Sequence, residues 1–383
     1  MEKKPLSVYV HVPFCVRKCL YCDFPSAPGT PDEIAYYFRV LQKEIRAFEA
    51  LASLHDVSTV FFGGGTPSLV DPKYIGQVLN LLHSLYGFER NAEISLEANP
   101  GTLTKENLQA YRDMGIGRLS IGLQSVHDEE LKLLGRIHSF ADFQKSYELA
   151  REAGFDNINI DLMSGLPRQT MDKWKKTLET AADLEPEHIS AYSLIIEEGT
   201  PFAETYGTRQ GRIYLPGEET ERSMYHYTKS FLSERGYSRY EISNYAKPGR
   251  ECRHNMVYWT GGEYIGFGQS AASYVDGKRF QDPAGKKEYP EYVRHAYASF
   301  KKARPLSLKE REEEYMFLGL RTARGVSREE FKERFGESFP GTYEKKLLDY
   351  CRQGFMEKDG GRIRLTDKGI DVSNVIMADF LQD

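Results

Sequence analysis

The chain has 383 residues, 40% of them hydrophobic and 28% charged, proportions that fit a folded globular protein and exclude a disordered one. At roughly 150 residues per domain the length suits two or three domains, or one large barrel with an appendage. With 51 Lys and Arg against 56 Asp and Glu the net charge is −5, which argues against nucleic-acid binding by bulk charge.

Six short apolar or β-branched runs lie at 6–12, 58–62, 93–97, 118–123, 157–163 and 188–196. Helical patterns at 32–54, 72–86, 105–114, 140–153 and 171–184 separate them. Such alternation predicts βαβ units and a parallel sheet. Right-handed crossovers then curl six units into an open or partial (β/α)6 barrel. After residue 236 the alternation stops. Strands are predicted at 237–246 and 264–275 and a helix at 288–303, followed by helices at 308–323, 327–335 and 343–353. A short hairpin turns at 359–361. The expected fold class is therefore α/β, with a mainly helical, winged-helix-like C-terminal domain. The expected division is 1–235, 236–305 and 306–383. Winged helices often bind DNA, but the acidic chain favours a packing or docking role for this one. No run reaches the roughly 18 apolar residues of a membrane span. The N-terminus enters a strand without a signal-peptide core, so the expectation is a cytoplasmic protein.

Polar residues and glycines gather just after the strands, the end where β/α barrels place their sites. The sharpest group is Cys15-x3-Cys19-x2-Cys22. Five cysteines are an odd number, and three lie on one short loop, which argues against a disulfide framework. Three thiolates so spaced can hold three irons of a [4Fe–4S] cluster and leave the fourth iron open to a ligand. The alternative is zinc, which wants a fourth ligand that His11 or Asp23 supplies poorly. Gly63-Gly64-Gly65-Thr66-Pro67 follows the second strand. It lacks the Lys-Ser/Thr ending of a P-loop and reads as a ligand-hugging or merely tight turn. Glu97 ends the third strand, where its carboxylate meets either ligand hydroxyl and amino groups or solvent. Gln124, Arg136 and Asp161 stand at or past later strands.

The cysteine spacing, with Tyr21 just before Cys22, resembles the signature of the radical S-adenosylmethionine (SAM) superfamily. The resemblance covers residues 1–235 and implies a [4Fe–4S] cluster on Cys15, Cys19 and Cys22. It further implies that SAM chelates the open iron and is cleaved by one electron from the cluster. The stretches Tyr9-Val10-His11-Val12-Pro13-Phe14-Cys15, Glu97-Ala98-Asn99-Pro100, Gly122-Leu123-Gln124-Ser125 and Asp161-Leu162-Met163-Ser164-Gly165-Leu166-Pro167 are similar to oxygen-independent coproporphyrinogen III oxidase and its relatives. That extends the resemblance to nearly the whole chain. It implies that Tyr9, Gly64 and Glu97, with Tyr21 nearby, serve one SAM. Gly65, Thr66, Gln124, Arg136 and Asp161 then serve a second.

Two departures set the chain apart from the oxidase. The oxidase has a further cysteine two residues after the third, where this chain has Phe24. Cys15 also lies too near the start for the oxidase's N-terminal extension. Cys252-Arg253-His254-Asn255-Met256-Val257-Tyr258-Trp259 contains His-Asn-x-x-Tyr-Trp, which resembles the hallmark of the HemW-type haem chaperones. A His can ligate haem iron, aromatic rings can stack on porphyrin, and Arg253 can meet a propionate. The competing reading of His254 is a packed core histidine, and Cys252 is a rival soft ligand. The resemblance implies haem and recipient haem proteins as partners, with haem held by His254 together with Asn255, Tyr258 and Trp259. A homodimer and a peripheral membrane contact are compatible with the sequence. The rival function is coproporphyrinogen III dehydrogenase, with a radical-SAM methyltransferase behind it. Cys351 has no assigned role.

Overall fold

The computed structural model describes residues 3–381. Six strands alternate with helices: β1 (Lys4–Val12), α1 (Pro31–Ala47), β2 (His55–Gly64), α2 (Pro72–Leu85), β3 (Gly87–Ala98), α3 (Lys105–Asp113) and β4 (Arg118–Gln124). Then come α4 (Asp128–Leu133), α5 (Phe140–Glu152), β5 (Ile158–Ser164), α6 (Met171–Asp183) and β6 (His188–Ser193). The crossover helices begin where the sequence offers side-chain caps: Thr30, Asp71, Thr104, Ser139 and Thr170 each accept an amide of the first turn. The short α4 carries too few apolar positions to show a helical period and was not expected.

β1 through β6 pair in sequence order, all parallel. Their side chains alternate between two faces, apart from register shifts at Leu6/Ser7, Val57/Thr59 and Gly122/Gln124. Val8, Val10, Val60, Phe62, Leu96, Ile121 and Ile160 face the helices and are buried. They pack with Phe38, Leu41 and Ile45 of α1 in one continuous core. Each such burial contributes about 1.5–3 kcal/mol, enough to set the register of every strand. The inner face instead carries Tyr9, His11, Glu97, Ser120, Asn159, Asp161 and His188.

Two more helices follow, α7 (Pro201–Tyr206) and α8 (Glu218–Glu234), and then the chain returns to the sheet. The segment 237–246 forms two strands, β7 (Ser238–Arg239) and β8 (Asn244–Ala246), rather than one. After α9 (Arg253–Thr260), the segment 264–275 also splits, into β9 (Tyr264–Phe267) and β10 (Ala272–Val275). It reverses at Gly268, whose φ of +109° a side chain would strain. β11 (Lys278–Gln281) completes the hairpin. β9 lies parallel to β1, and β8 lies antiparallel to β6. The eleven strands therefore run β11-β10-β9-β1-β2-β3-β4-β5-β6-β8-β7, and no pairing joins β7 to β11 among the described residues. The sheet is an open, partial barrel. The predicted helix 288–303 is broken into α10 (Glu288–Val293) and α11 (Ala296–Lys302).

The C-terminal region has its own core of Met316, Leu320, Phe331, Tyr343, Leu347, Ile363 and Phe380. It comprises α12 (Leu308–Leu320), β12 (Val326–Ser327), α13 (Arg328–Phe335), α14 (Gly341–Arg352), β13 (Met356–Asp359), β14 (Arg362–Leu365), α15 (Asp367–Ile370) and α16 (Ser373–Ala378). The strands form a small antiparallel sheet in the order β12-β14-β13. It docks on α8 through Lys229–Asp367 and through Arg222 and His226 on Asp371. No helix among the described residues is long and apolar enough to cross a membrane.

Candidate functional site

The cysteine loop is closed at its neck. Cys15 N donates to Ala27 O at 3.2 Å, and Ala27 N donates to Pro13 O at 3.0 Å. His11 lies under the loop. Pro25 O only accepts, so His11 carries its proton on Nε2 and donates across 3.2 Å. Nδ1 then accepts from the Tyr9 hydroxyl at 3.1 Å. Burial pushes the His11 pKa down, which keeps this neutral form. The far side of the loop is tied to the α4–α5 connection by Arg17 Nη2 on Gly135 O at 2.9 Å and Leu20 N on Leu134 O at 3.0 Å.

The glycine motif presses on the neck. Gly65 N donates to Val12 O and Thr66 N to Phe14 O, both at 2.8 Å. A Cβ on Gly65 would stand 2.5 Å from Phe14 O, and one on Gly64 would stand 2.5 Å from the His11 ring. Gly64 also has a φ of +115°. One on Gly63 would meet Tyr9, Phe61 and Glu97. The three glycines thus leave room for backbone, ring and carboxylate to converge on one floor.

Asn99 is the hub between this motif and Arg136. Its Nδ2 donates to Thr66 Oγ1 at 2.7 Å, and its Oδ1 accepts from Arg136 Nη2 at 2.7 Å. Arg136 also reaches Gly122 O at 2.7 Å and Cys19 Sγ at 3.7 Å. The guanidinium is therefore held over the cysteine loop rather than solvated. Gln124 is buried with a φ of +71°, a left-handed conformation that ends β4. Asn99 carries no individual signal of this role in the sequence beyond an amide side chain between a strand end and Pro100.

Glu97 accepts from Gly64 N at 3.0 Å. Burial, then the neighbouring charge of Asp161, pushes its pKa up to about 7. Burial also raises the Asp161 carboxyl, against hydrogen bonds from Asn159 and Ser120 that hold it down. Asn159 donates to Asp161 at 2.7 Å and accepts from His188 Nδ1 at 2.6 Å. His188 Nε2 then accepts from Tyr240 at 2.8 Å. Nothing in the sequence marked this polar floor beyond Asp161. Tyr21 packs beside Phe202, with ring centroids 6.3 Å apart.

The His-Asn-x-x-Tyr-Trp stretch forms α9, which sits at the opposite, N-terminal end of the strands. His254 is 1% exposed. Ser58 donates to Leu6 O, so Ser7 donates to Ser58, Thr59 to Ser7, and His254 Nδ1 to Thr59 at 2.7 Å. His254 Nε2 is left as the acceptor of the Tyr258 hydroxyl at 2.9 Å. Burial pushes its pKa down to about 3, so the ring is neutral. Trp259 points elsewhere, under Arg321 at the C-terminal cap of α12 at 4.5 Å, and Asn255 is half-buried. The motif thus joins the barrel base to the C-terminal region and does not present one continuous face.

These features define a radical SAM protein: residues 9–181 match the Radical SAM superfamily, and residues 306–372 match the HemN C-terminal domain. The fold is similar to that of coproporphyrinogen III oxidase from Escherichia coli, a radical SAM enzyme, with a TM-score of 0.83 at 24% identity over 99% of this chain and 91% of that one. The heme chaperone HemW of Bacillus subtilis is 36% identical, covering 98% of this chain and 99% of its own length. That of Lactococcus lactis is 36% identical over 100% and 99%, and that of Haemophilus influenzae 34% over 99% and 98%. The chain belongs to the HemW family of haem chaperones.

Membership of the radical SAM superfamily implies a [4Fe–4S] cluster and SAM. The residues present fit both. Cys15, Cys19 and Cys22 are free thiols on one closed loop, and a cationic guanidinium faces Cys19. The glycine floor beside Glu97 is a cradle that any Cβ would fill.

Proposed function

We propose that this chain binds haem and delivers it to recipient haem proteins, on a scaffold that carries a [4Fe–4S] cluster and SAM. The full-length likeness to curated haem chaperones carries this reading. Phe24, 58% exposed where the oxidase has a cysteine, agrees with it.

Cys15, Cys19 and Cys22 would hold the cluster, which would supply one-electron chemistry to bound SAM. Tyr9, Tyr21, Gly64 and Glu97 line the SAM side. Glu97, once ionised, would accept a hydrogen bond from the SAM amino group, while Gly64 brings backbone amide and carboxylate together. Gly65, Thr66, Gln124, Arg136 and Asp161 complete the mouth. Arg136, Thr66 and Asp161 already have internal partners, so they act first as a scaffold, and a second SAM has to compete for them. The cluster holds regulatory or haem-transfer work here, not porphyrin decarboxylation.

Haem iron would take His254 as its ligand, with Asn255 and Tyr258 of the motif beside it, while Trp259 lies apart under Arg321. The tautomer supports this, because Nε2 keeps its lone pair. Tyr258 covers that lone pair and would have to swing away for haem to enter. Exposed Val16, Phe24, Ile137 and Ile195 ring the barrel mouth and offer a recipient an apolar surface. A homodimer or a membrane-bound recipient would use the same rim.

The test uses protein with its cluster reconstituted without oxygen. One sample receives haem and an apo-haem protein, and another receives coproporphyrinogen III with SAM. Stoichiometric haem binding, transfer to the apoprotein and no protoporphyrinogen are expected. Protoporphyrinogen formation would overturn the chaperone reading. Tyr258→Phe should tighten haem binding and His254→Ala weaken it; equal haem spectra in both would move the haem site off α9.

A further inference from the structure

His55, Glu263 and Asp276 each offer a ligand atom, and these atoms lie within 4.8 Å of one another. We propose that they bind one divalent transition-metal ion of the zinc class, through His55 Nε2 and the two carboxylates. The place is the start of β2, where β1, β9 and the β10–β11 turn meet. It lies a full β1 length from the cysteine loop, about 30 Å at roughly 3.3 Å per residue.

The chemistry of His55 selects this ligand. Its side chain is fully buried, and Nδ1 lies 3.0 Å from Leu51 O. A carbonyl oxygen only accepts, so Nδ1 carries the proton. Nε2 then faces Glu263 Oε2 at 2.8 Å. A neutral imidazole has no second proton for that contact. Either a proton or a metal ion supplies the positive charge between them. An imidazole whose other nitrogen donates to a backbone carbonyl is the arrangement by which proteins aim metal-ligating histidines.

The charge count points the same way. Glu263 Oε1 accepts from the Asp276 amide at 3.0 Å, which draws the second carboxylate beside the first. Two carboxylates and a neutral imidazole carry a formal charge of −2. Lys4 Nζ stands 3.9 Å from Glu263, but its side chain is 65% exposed and solvated. A divalent ion cancels the pair. One nitrogen and two oxygen donors suit Zn2+, Co2+ or Ni2+ better than Mg2+ or Ca2+, which prefer oxygen alone. Bound there, the ion staples the β9–β11 edge onto the start of β2.

The test is equilibrium dialysis of the cluster-loaded full chain against Co2+ without oxygen, read by cobalt X-ray absorption. Expected is one Co2+ per chain in a nitrogen and oxygen shell that includes imidazole, displaced by Zn2+. Asp276→Asn, at an exposed turn residue, and Glu263→Gln should each weaken binding at least about 10-fold with the cluster absorbance unchanged. A sulfur shell, no binding in the millimolar range, or equal binding by wild type and Asp276→Asn would overturn the proposal and leave His55–Glu263 as an ion pair only.

Discussion

The carboxylate of Glu97 accepts the amide of Gly64 at 3.0 Å, tying the end of β3 to the glycine turn after β2. The same carboxylate has its pKa raised from the ordinary 4.5 to about 7 by burial and by Asp161. Between these two values the folded chain binds the proton that the unfolded chain releases. Glu97 therefore lowers stability as pH rises from 4.5 to about 7, with no further loss above. Urea unfolding across this range should fall less steeply in Glu97→Gln than in wild type. If the Glu97 carboxylate accepts a hydrogen bond from the SAM amino group, SAM affinity should rise with pH through about 7 in wild type, and calorimetry should find that rise missing in Glu97→Gln.

Gly65 has no space for a side chain. Gly65→Ala places a methyl group 2.5 Å from Phe14 O and should displace the neck of the cysteine loop. The expected outcome is loss of most of the cluster absorbance. Gly117→Ala is the control, since a Cβ there meets nothing within 4 Å. It should keep both cluster and stability.

Arg136 holds Asn99, Gly122 O and Cys19 together. Arg136→Ala leaves two part-buried acceptors, Asn99 Oδ1 and Gly122 O, short of a donor, at up to about 1–3 kcal/mol each. The unfolding midpoint should fall accordingly. Loss of the cation beside Cys19 should also lower the reduction potential of the cluster, read by a spectroelectrochemical titration.

Thr59→Val removes the acceptor of His254 Nδ1 with little change in shape. An orphaned buried N–H should cost about 1–3 kcal/mol in chemical unfolding. His254 adds a pH signature. Its folded pKa of about 3 lies below the ordinary 6.5, so the unfolded chain takes up the proton first. This contribution is complete above 6.5 and is lost as pH falls towards 3. His254→Asn should flatten the acid limb of the stability curve.

The cysteine spacing, the glycine turn and the βα alternation were legible because they are local. A short loop carries its own chemistry, and strand and helix periods repeat within a dozen residues. Asn99 and the network of Ser120, Asn159 and His188 were not legible, since polar residues inside strands signal nothing until neighbouring strands bring them face to face. The split of 237–246 and 264–275 went unread for a similar reason. Gly268 turns the chain out of β9, whose partner β1 lies far away in sequence.

Local patterns were enough to give the class of this protein: six βα units, three thiols on one loop, and a family likeness along the chain. The places of the later segments come from long-range pairing. β9 pairs with β1, and β8 with β6, across separations no local pattern can report. Tertiary packing also decided the fate of His-Asn-x-x-Tyr-Trp. Eight residues of helix turn His254 into the barrel base and Trp259 onto Arg321 of the C-terminal region, because successive side chains on a helix point about 100° apart.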